Sequence, residues 1–175
     1  MFNKVFLIAF LIFSSLQAKD SFTSERLLGI EVGYGTLKTT DTAGVESSSK
    51  DAEYGFRIGA QNTDWRTTLA TNFYRAGDKK YQRAMLEFDR FVWASLYKTD
   101  SIVFKPYLGG HIGWMRYTDD AVGTKDNGFL YGGQVGLAWN VLREVDFDLG
   151  YRYSVTNIST VNNLGGFVFG VNYIY

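Results

Sequence analysis

The chain has no cysteine and a single proline. Without cysteine it has no disulfide framework, no thiolate metal site and no cysteine nucleophile. It lacks an excess of either charge: 18 Lys and Arg face 18 Asp and Glu, so composition gives no argument for nucleic acid. Past the signal-like start it lacks any apolar run long enough to span a membrane as a helix. No metal cluster, phosphate loop or nucleotide motif is present. "GYGTLKTT" from Gly33 is glycine-rich, but no helical pattern follows it, so it is not a phosphate cradle. What the 175 residues do contain is 46% hydrophobic residues, 17% aromatics and 19 glycines. That is rich in aromatics and glycine for an ordinary domain.

The start of the chain reads as a secretory signal peptide, residues 1–18. Lys4 gives a basic start, Val5–Phe13 is unbroken and apolar, and Ser14–Ala18 supplies small residues for cleavage. The apolar run is about half of the roughly 20 residues a spanning helix needs. Lys19 follows instead of a lipoprotein cysteine. The rest, residues 19–175, is expected to be one domain.

Eight segments alternate with period two, the pattern of a strand. In "VDFDLGYRYSV" the residues Val145, Phe147, Leu149, Tyr151, Tyr153 and Val155 share one face, and Asp146, Asp148, Gly150, Arg152 and Ser154 the other. The pattern recurs from Leu27, Glu53, Trp65, Arg83, Ile102, Phe129 and Gly166. Long polar connectors, Lys38–Lys50, Thr118–Asn127 and Thr156–Asn163, are expected to alternate with short ones such as Asn62–Asp64 and Leu142–Glu144. That is the two-rim pattern of an up-and-down membrane barrel. A soluble barrel would turn the apolar faces inward, but eight strands leave room only for modest side chains. Trp65, Trp114, Trp139 and the many phenylalanines are too bulky for that space. The expected interior is therefore the glycine, alanine, serine and charged set, with the aromatics facing lipid. In water such an exterior far exceeds the apolar patch a monomer tolerates. Aromatics near segment ends, among them Tyr34, Trp65 and Trp114, suit interfacial girdles.

The chain at this point resembles the small eight-stranded outer-membrane barrels of the OmpA/OmpX type, over about residues 26–175. The resemblance rests on the signal, the eight amphipathic strands and the C-terminus. Gly170-Val171-Asn172-Tyr173-Ile174-Tyr175 is similar to the terminal motif of that family, which implies that Gly170, Tyr173 and Tyr175 are read by the outer-membrane assembly machinery. Phe169 stands where the family prefers a polar residue, and Tyr175 where phenylalanine is commoner. The resemblance implies an all-β, eight-stranded antiparallel up-and-down transmembrane β-barrel in the bacterial outer membrane. It implies as partners the outer-membrane lipid and lipopolysaccharide, periplasmic chaperones and the assembly machinery, with the chain a monomer and no nucleic acid or cofactor. The resemblance covers the barrel alone, so no peptidoglycan-binding role is expected from it.

The expected interior carries Glu31, Glu53, Arg57, Arg66, Arg83, Glu87, Asp89, Lys105, Asp146, Asp148 and Arg152. Near balance of sign suggests a mutual ion-pair network that plugs the lumen, since buried charges are tolerated when paired. A narrow porin-like channel is the alternative; a wide one needs about twice the strand number. Arg90 breaks the pattern: either it snorkels near the short-turn rim, or a β-bulge turns Phe91 and Trp93 outward. A lipid-modifying enzyme is the third reading. It would need a base such as His111, but the His-x-Ser pattern of lipid A deacylases meets Gly113, so His111 is expected to join the interior polar network. Asp146 and Asp148 share a face, with Arg152, Lys105 and Arg57 as neutralising partners. "TDDAVGTKDNG" lacks the ligand spacing of a calcium loop. The expected role is structural or interactive, through membrane integrity, adhesion or ligand contact by the loops, without catalysis.

Overall fold

The computed structural model describes residues 24–40, 44–92, 97–98, 102–142 and 144–175. The expected signal peptide, residues 1–18, lies outside them, as does Trp93. Eight long strands are β1 (Glu25–Thr40), β2 (Glu46–Gln61), β3 (Trp65–Ala76), β4 (Lys79–Phe91), β6 (Val103–Asp119), β7 (Thr124–Leu142), β8 (Val145–Thr156) and β9 (Val161–Ile174). A two-residue strand, β5 (Tyr97–Lys98), pairs with the start of β6. Each long strand pairs antiparallel with its chain neighbours, β4 pairs with β6, and β1 pairs with β9. The eight strands therefore close into a barrel with no free edge.

Register fixes its shape. From Leu27 the cross-strand partners run Gly59, Thr68, Glu87, His111, Gly132, Ser154 and Leu164, and return to β1 at Leu37. The circuit ends ten residues beyond its start. With ordinary strand spacing and rise, that stagger tilts the strands by about 40°.

The outward face carries the apolar residues, including Ile30, Phe56, Leu108, Trp114 and Phe167. Tyr34, Phe167 and Tyr151 form one row on adjacent strands, with Tyr151 and Phe167 edge to face. Trp139, Phe147 and Phe169 form a second aromatic cluster nearer the short-turn rim.

One expectation is corrected, and one of the two alternatives at Arg90 is excluded. The long connectors are mostly strand. β1 and β2 stay paired to Thr40 and Glu46, and β6 and β7 to Asp119 and Thr124. Among the described residues the turns that remain on this rim are 77–78, 120–123 and 157–160. Period-two alternation needs one apolar face, and these ladders stand above the apolar belt with both faces polar. Gly77 and Gly123 supply the positive φ, 59° and 69°, that their tight turns need. On the other rim Asn62 shapes its turn directly, its side-chain oxygen accepting from the backbone N–H of Asp64 and Trp65.

The bulge near Arg90 does not form. The β3–β4 and β4–β6 ladders pass Arg90 and Phe91 without a shift. Phe91 is buried, Arg90 is exposed, and the Arg90 guanidinium lies 5.1 Å from the Trp65 ring centroid. The arginine thus sits on the aromatic girdle near the short-turn rim, where its head reaches the interface.

Candidate functional site

Inward positions of the strands bring the charges together. Arg57 on β2 lies between two carboxylates: its Nε donates to Glu31 on β1 at 3.0 Å, and its Nη1 to Asp148 on β8 at 2.5 Å. Arg66 on β3 reaches the same Asp148 at 3.1 Å and donates twice to Asp89 at 2.9 and 3.0 Å. Arg152 on β8 bridges Glu31 at 3.0 Å and Glu87 at 2.7 Å. Arg83 pairs with Glu53, whose other oxygen accepts from the Tyr81 hydroxyl at 2.5 Å. Each of these charged residues is at most 5% exposed. At such burial an unpaired charge is very costly, so the network stands only because its charges are paired and further hydrogen-bonded.

Uncharged side chains complete it. Gln134 accepts from Arg152 at 3.1 Å and donates to Asp89 at 2.6 Å, and Asn172 donates to Asp148 at 3.0 Å. Asn72 donates to Glu31. Arg66 is covered from the short-turn side by Tyr107, whose ring centroid is 4.7 Å from the guanidinium. Gly170 faces the arginines from β9: a Cβ there would lie 2.9 Å from three guanidinium atoms of Arg57.

Two expected members sit apart. Asp146, near the short-turn rim, accepts from Gln61 at 2.8 Å and from Asn140. Lys105 is half-buried, with its ammonium 5.6 Å from the Phe91 ring centroid. The partners of Asp148 also differ from the expected set: Arg57 and Arg66 hold it, while Arg152 turns to Glu31 and Glu87.

The interior is not uniformly small and charged, as the sequence suggested. Leu37, Tyr74, Tyr81, Met85, Met115, Tyr117, Leu130, Ile158, Val161 and Leu164 form one buried cluster, much of it from the hairpin-side ends of the strands. Ile158, in the last turn, folds over against Gly128, where a Cβ would collide with it. Phe91, Tyr107 and Ala138 form a second cluster on the opposite side. These large residues fit because glycines on neighbouring strands make room. Tyr107 lies over Gly136 and Gly150, and its hydroxyl leaves no space for a Cβ at either. Two interior cavities each offer about 10 Å3, which is room for one water.

His111 pairs with a residue not foreseen. Its Nε2 lies 2.7 Å from the Ser154 hydroxyl oxygen, reaching past Gly132 on the intervening β7. A Cβ on Gly132 would stand 2.7 Å from that nitrogen. The register supplies the link: His111, Gly132 and Ser154 are successive partners on three strands. The only sequence signal was that all three fall on inward faces.

The terminal tyrosines point the other way. Tyr173 and Tyr175 are exposed on the outer face, with ring centroids 5.9 Å apart.

The whole arrangement is similar to solved structures. Neisserial surface protein A shares 20% identity and a TM-score of 0.68, with 87% of this chain and 99% of that chain covered. The N-terminal β-barrel domain of Pseudomonas aeruginosa OprF shares 13% identity and a TM-score of 0.51, with 86% of this chain and all of that domain covered. At these identities the likeness is one of fold. No curated protein matches the sequence. The outer membrane protein beta-barrel domain family matches residues 6–174, so this chain, a closed antiparallel barrel with an apolar exterior, belongs to that family and to the bacterial outer membrane.

Proposed function

We propose that this chain is a non-conducting, non-catalytic outer-membrane barrel with a structural or surface-interaction role. The interior ion pairs plug the lumen, and the polar hairpins present the surface that meets ligands or other cells. One observation carries the reading: arginine–carboxylate pairs and two apolar clusters fill the barrel, leaving interior cavities of about 10 Å3. A hydrated ion needs a continuous path, and one-water pockets do not provide it. The purified chain inserted into a planar bilayer is expected to show no steady unit conductance. Reproducible single-channel steps at modest voltage would reverse this in favour of a narrow channel.

The His111–Ser154 pair has the residue types of a nucleophile and its base, but the two residues are only 4% and 0% exposed, which keeps a substrate from reaching them. His111→Ala is therefore expected to leave the membrane lipids chemically unchanged.

The same proposal covers export and assembly. Residues 1–18 act as a cleaved signal, and residues 19–175 form the barrel domain. Periplasmic chaperones and the assembly machinery take the unfolded chain, and the product is a monomer. The exposed Tyr173 and Tyr175 support recognition of the last strand from outside, whereas Gly170 also serves the interior by making room for Arg57.

A further inference from the structure

The outer face of the barrel changes character sharply on four neighbouring strands. Phe73, Trp114 and Phe129 end the apolar belt on β3, β6 and β7. Two residues further toward the hairpins stand Arg75, Arg116 and Asn127, with Gln82 beside Arg116 on β4. Above them Lys80 and Lys125 flank Thr118 on adjacent strands. The polar side chains of these two rows line a surface groove of about 730 Å3 with Phe73 at its foot.

Its charge is lopsided. Arg75, Lys80, Arg116 and Lys125 bring four cations, against one lining carboxylate, Asp120. Lys80 donates to both Asp120 oxygens, at 2.7 and 3.0 Å. That hydrogen bond, aided by the charges of Lys80, Arg75 and Lys125, holds the Asp120 carboxyl below its usual range. Asp120 is already ionised at neutral pH, so the groove keeps an excess of three positive charges. Among the described residues Arg116 donates one side-chain bond, from Nε to Asn127 at 3.1 Å, which leaves the rest of its fork for an oxyanion.

We propose that this groove binds the phosphorylated headgroup of an outer-leaflet lipid. The phosphates would sit among Arg75, Arg116 and Lys125, and the acyl chains would run down over Phe73 and Trp114. The groove stands directly above a lipid-facing surface, so a ligand that is anionic on top and apolar below matches both halves. The polar hairpins mark this rim as the one such barrels turn away from the cell. The proposal deepens the surface-interaction role of the proposed function by naming a ligand for this rim. It rests on the outer-membrane placement and not on the sealed lumen, so a conducting barrel would leave it standing.

The test titrates the detergent-purified full chain with bisphosphorylated lipid A, with the same lipid stripped of both phosphates, and with inorganic pyrophosphate. Tryptophan fluorescence reads binding. The variant R75Q/R116Q/K125Q is expected to weaken lipid A binding at least tenfold. K38Q/K50Q, which removes exposed cations from β1 and β2, is expected to change it less than twofold. Stripped lipid is expected to bind the unaltered chain as weakly as lipid A binds the triple variant. Equal losses in the two variants would mean diffuse attraction and would overturn the site. Pyrophosphate binding as tight as lipid A would overturn the lipid assignment. Folding of each variant is checked by its altered gel mobility before and after boiling. Should the triple variant fail that check, R116Q alone is expected to weaken binding about threefold, and an unchanged isotherm overturns the proposal.

Discussion

Arg57 stands between Glu31 and Asp148, and replacing it by methionine keeps most of its volume while taking from each buried carboxylate one of its two arginines. Breaking a buried pair from one side costs about 3–5 kcal/mol, because the partner stays buried and loses its compensation. Urea unfolding of Arg57→Met from lipid vesicles is expected to show a loss of that order. Arg90→Ala provides the contrast. Its guanidinium rests on Trp65 at the exposed girdle, so its removal is expected to cost about 0.5–1 kcal/mol. Equal losses at the two sites would mean that the interior pairs are no tighter than a surface contact. Alternation placed Arg57 on the inward face, whereas it left Arg90 between snorkelling on the lipid face and a bulge. The sequence named Arg57 among the partners of Asp148 but missed Arg66, because which arginine reaches a carboxylate depends on the register of strands that, for Arg66 and Asp148, are 82 residues apart.

The barrel closes where its first and last long strands meet. Val171 pairs with Ile30 on β1 and with Phe147 on β8. A proline there removes a ladder donor in the middle of a paired strand, a position proline does not occupy in stable sheets. Val171→Pro is expected to abolish the fast-migrating folded band on an unboiled gel. Val171→Thr, which keeps the backbone donor and the branched shape, is expected to leave it. The strand order and the facing of most residues were legible because lipid outside and charge inside give each strand a period of two. The ends of the strands were not. Thr39, Thr40 and Ser47–Ser49 are strand, but both of their faces meet polar surroundings and carry no alternation. The apolar part of the interior was hidden for a related reason. Leu37, Met115 and Leu130 fall on the inward face in register, yet composition alone does not show that one side of the lumen is packed with grease.

At the scale of the whole molecule, the outside is made for lipid and the inside is a closed polar and apolar core. The absence of native cysteine makes this directly measurable, since any introduced thiol is the only one. Ile112 is 52% exposed on the outer face and Ser154 is fully buried in the lumen. Single variants Ile112→Cys and Ser154→Cys, folded in lipid vesicles, would be offered a membrane-soluble maleimide and a charged, membrane-impermeant one. Ile112→Cys is predicted to react with the first reagent alone, and Ser154→Cys with neither until the chain is unfolded. Rapid labelling of folded Ser154→Cys by the charged reagent would contradict the closed core, because water would then reach the middle of the barrel.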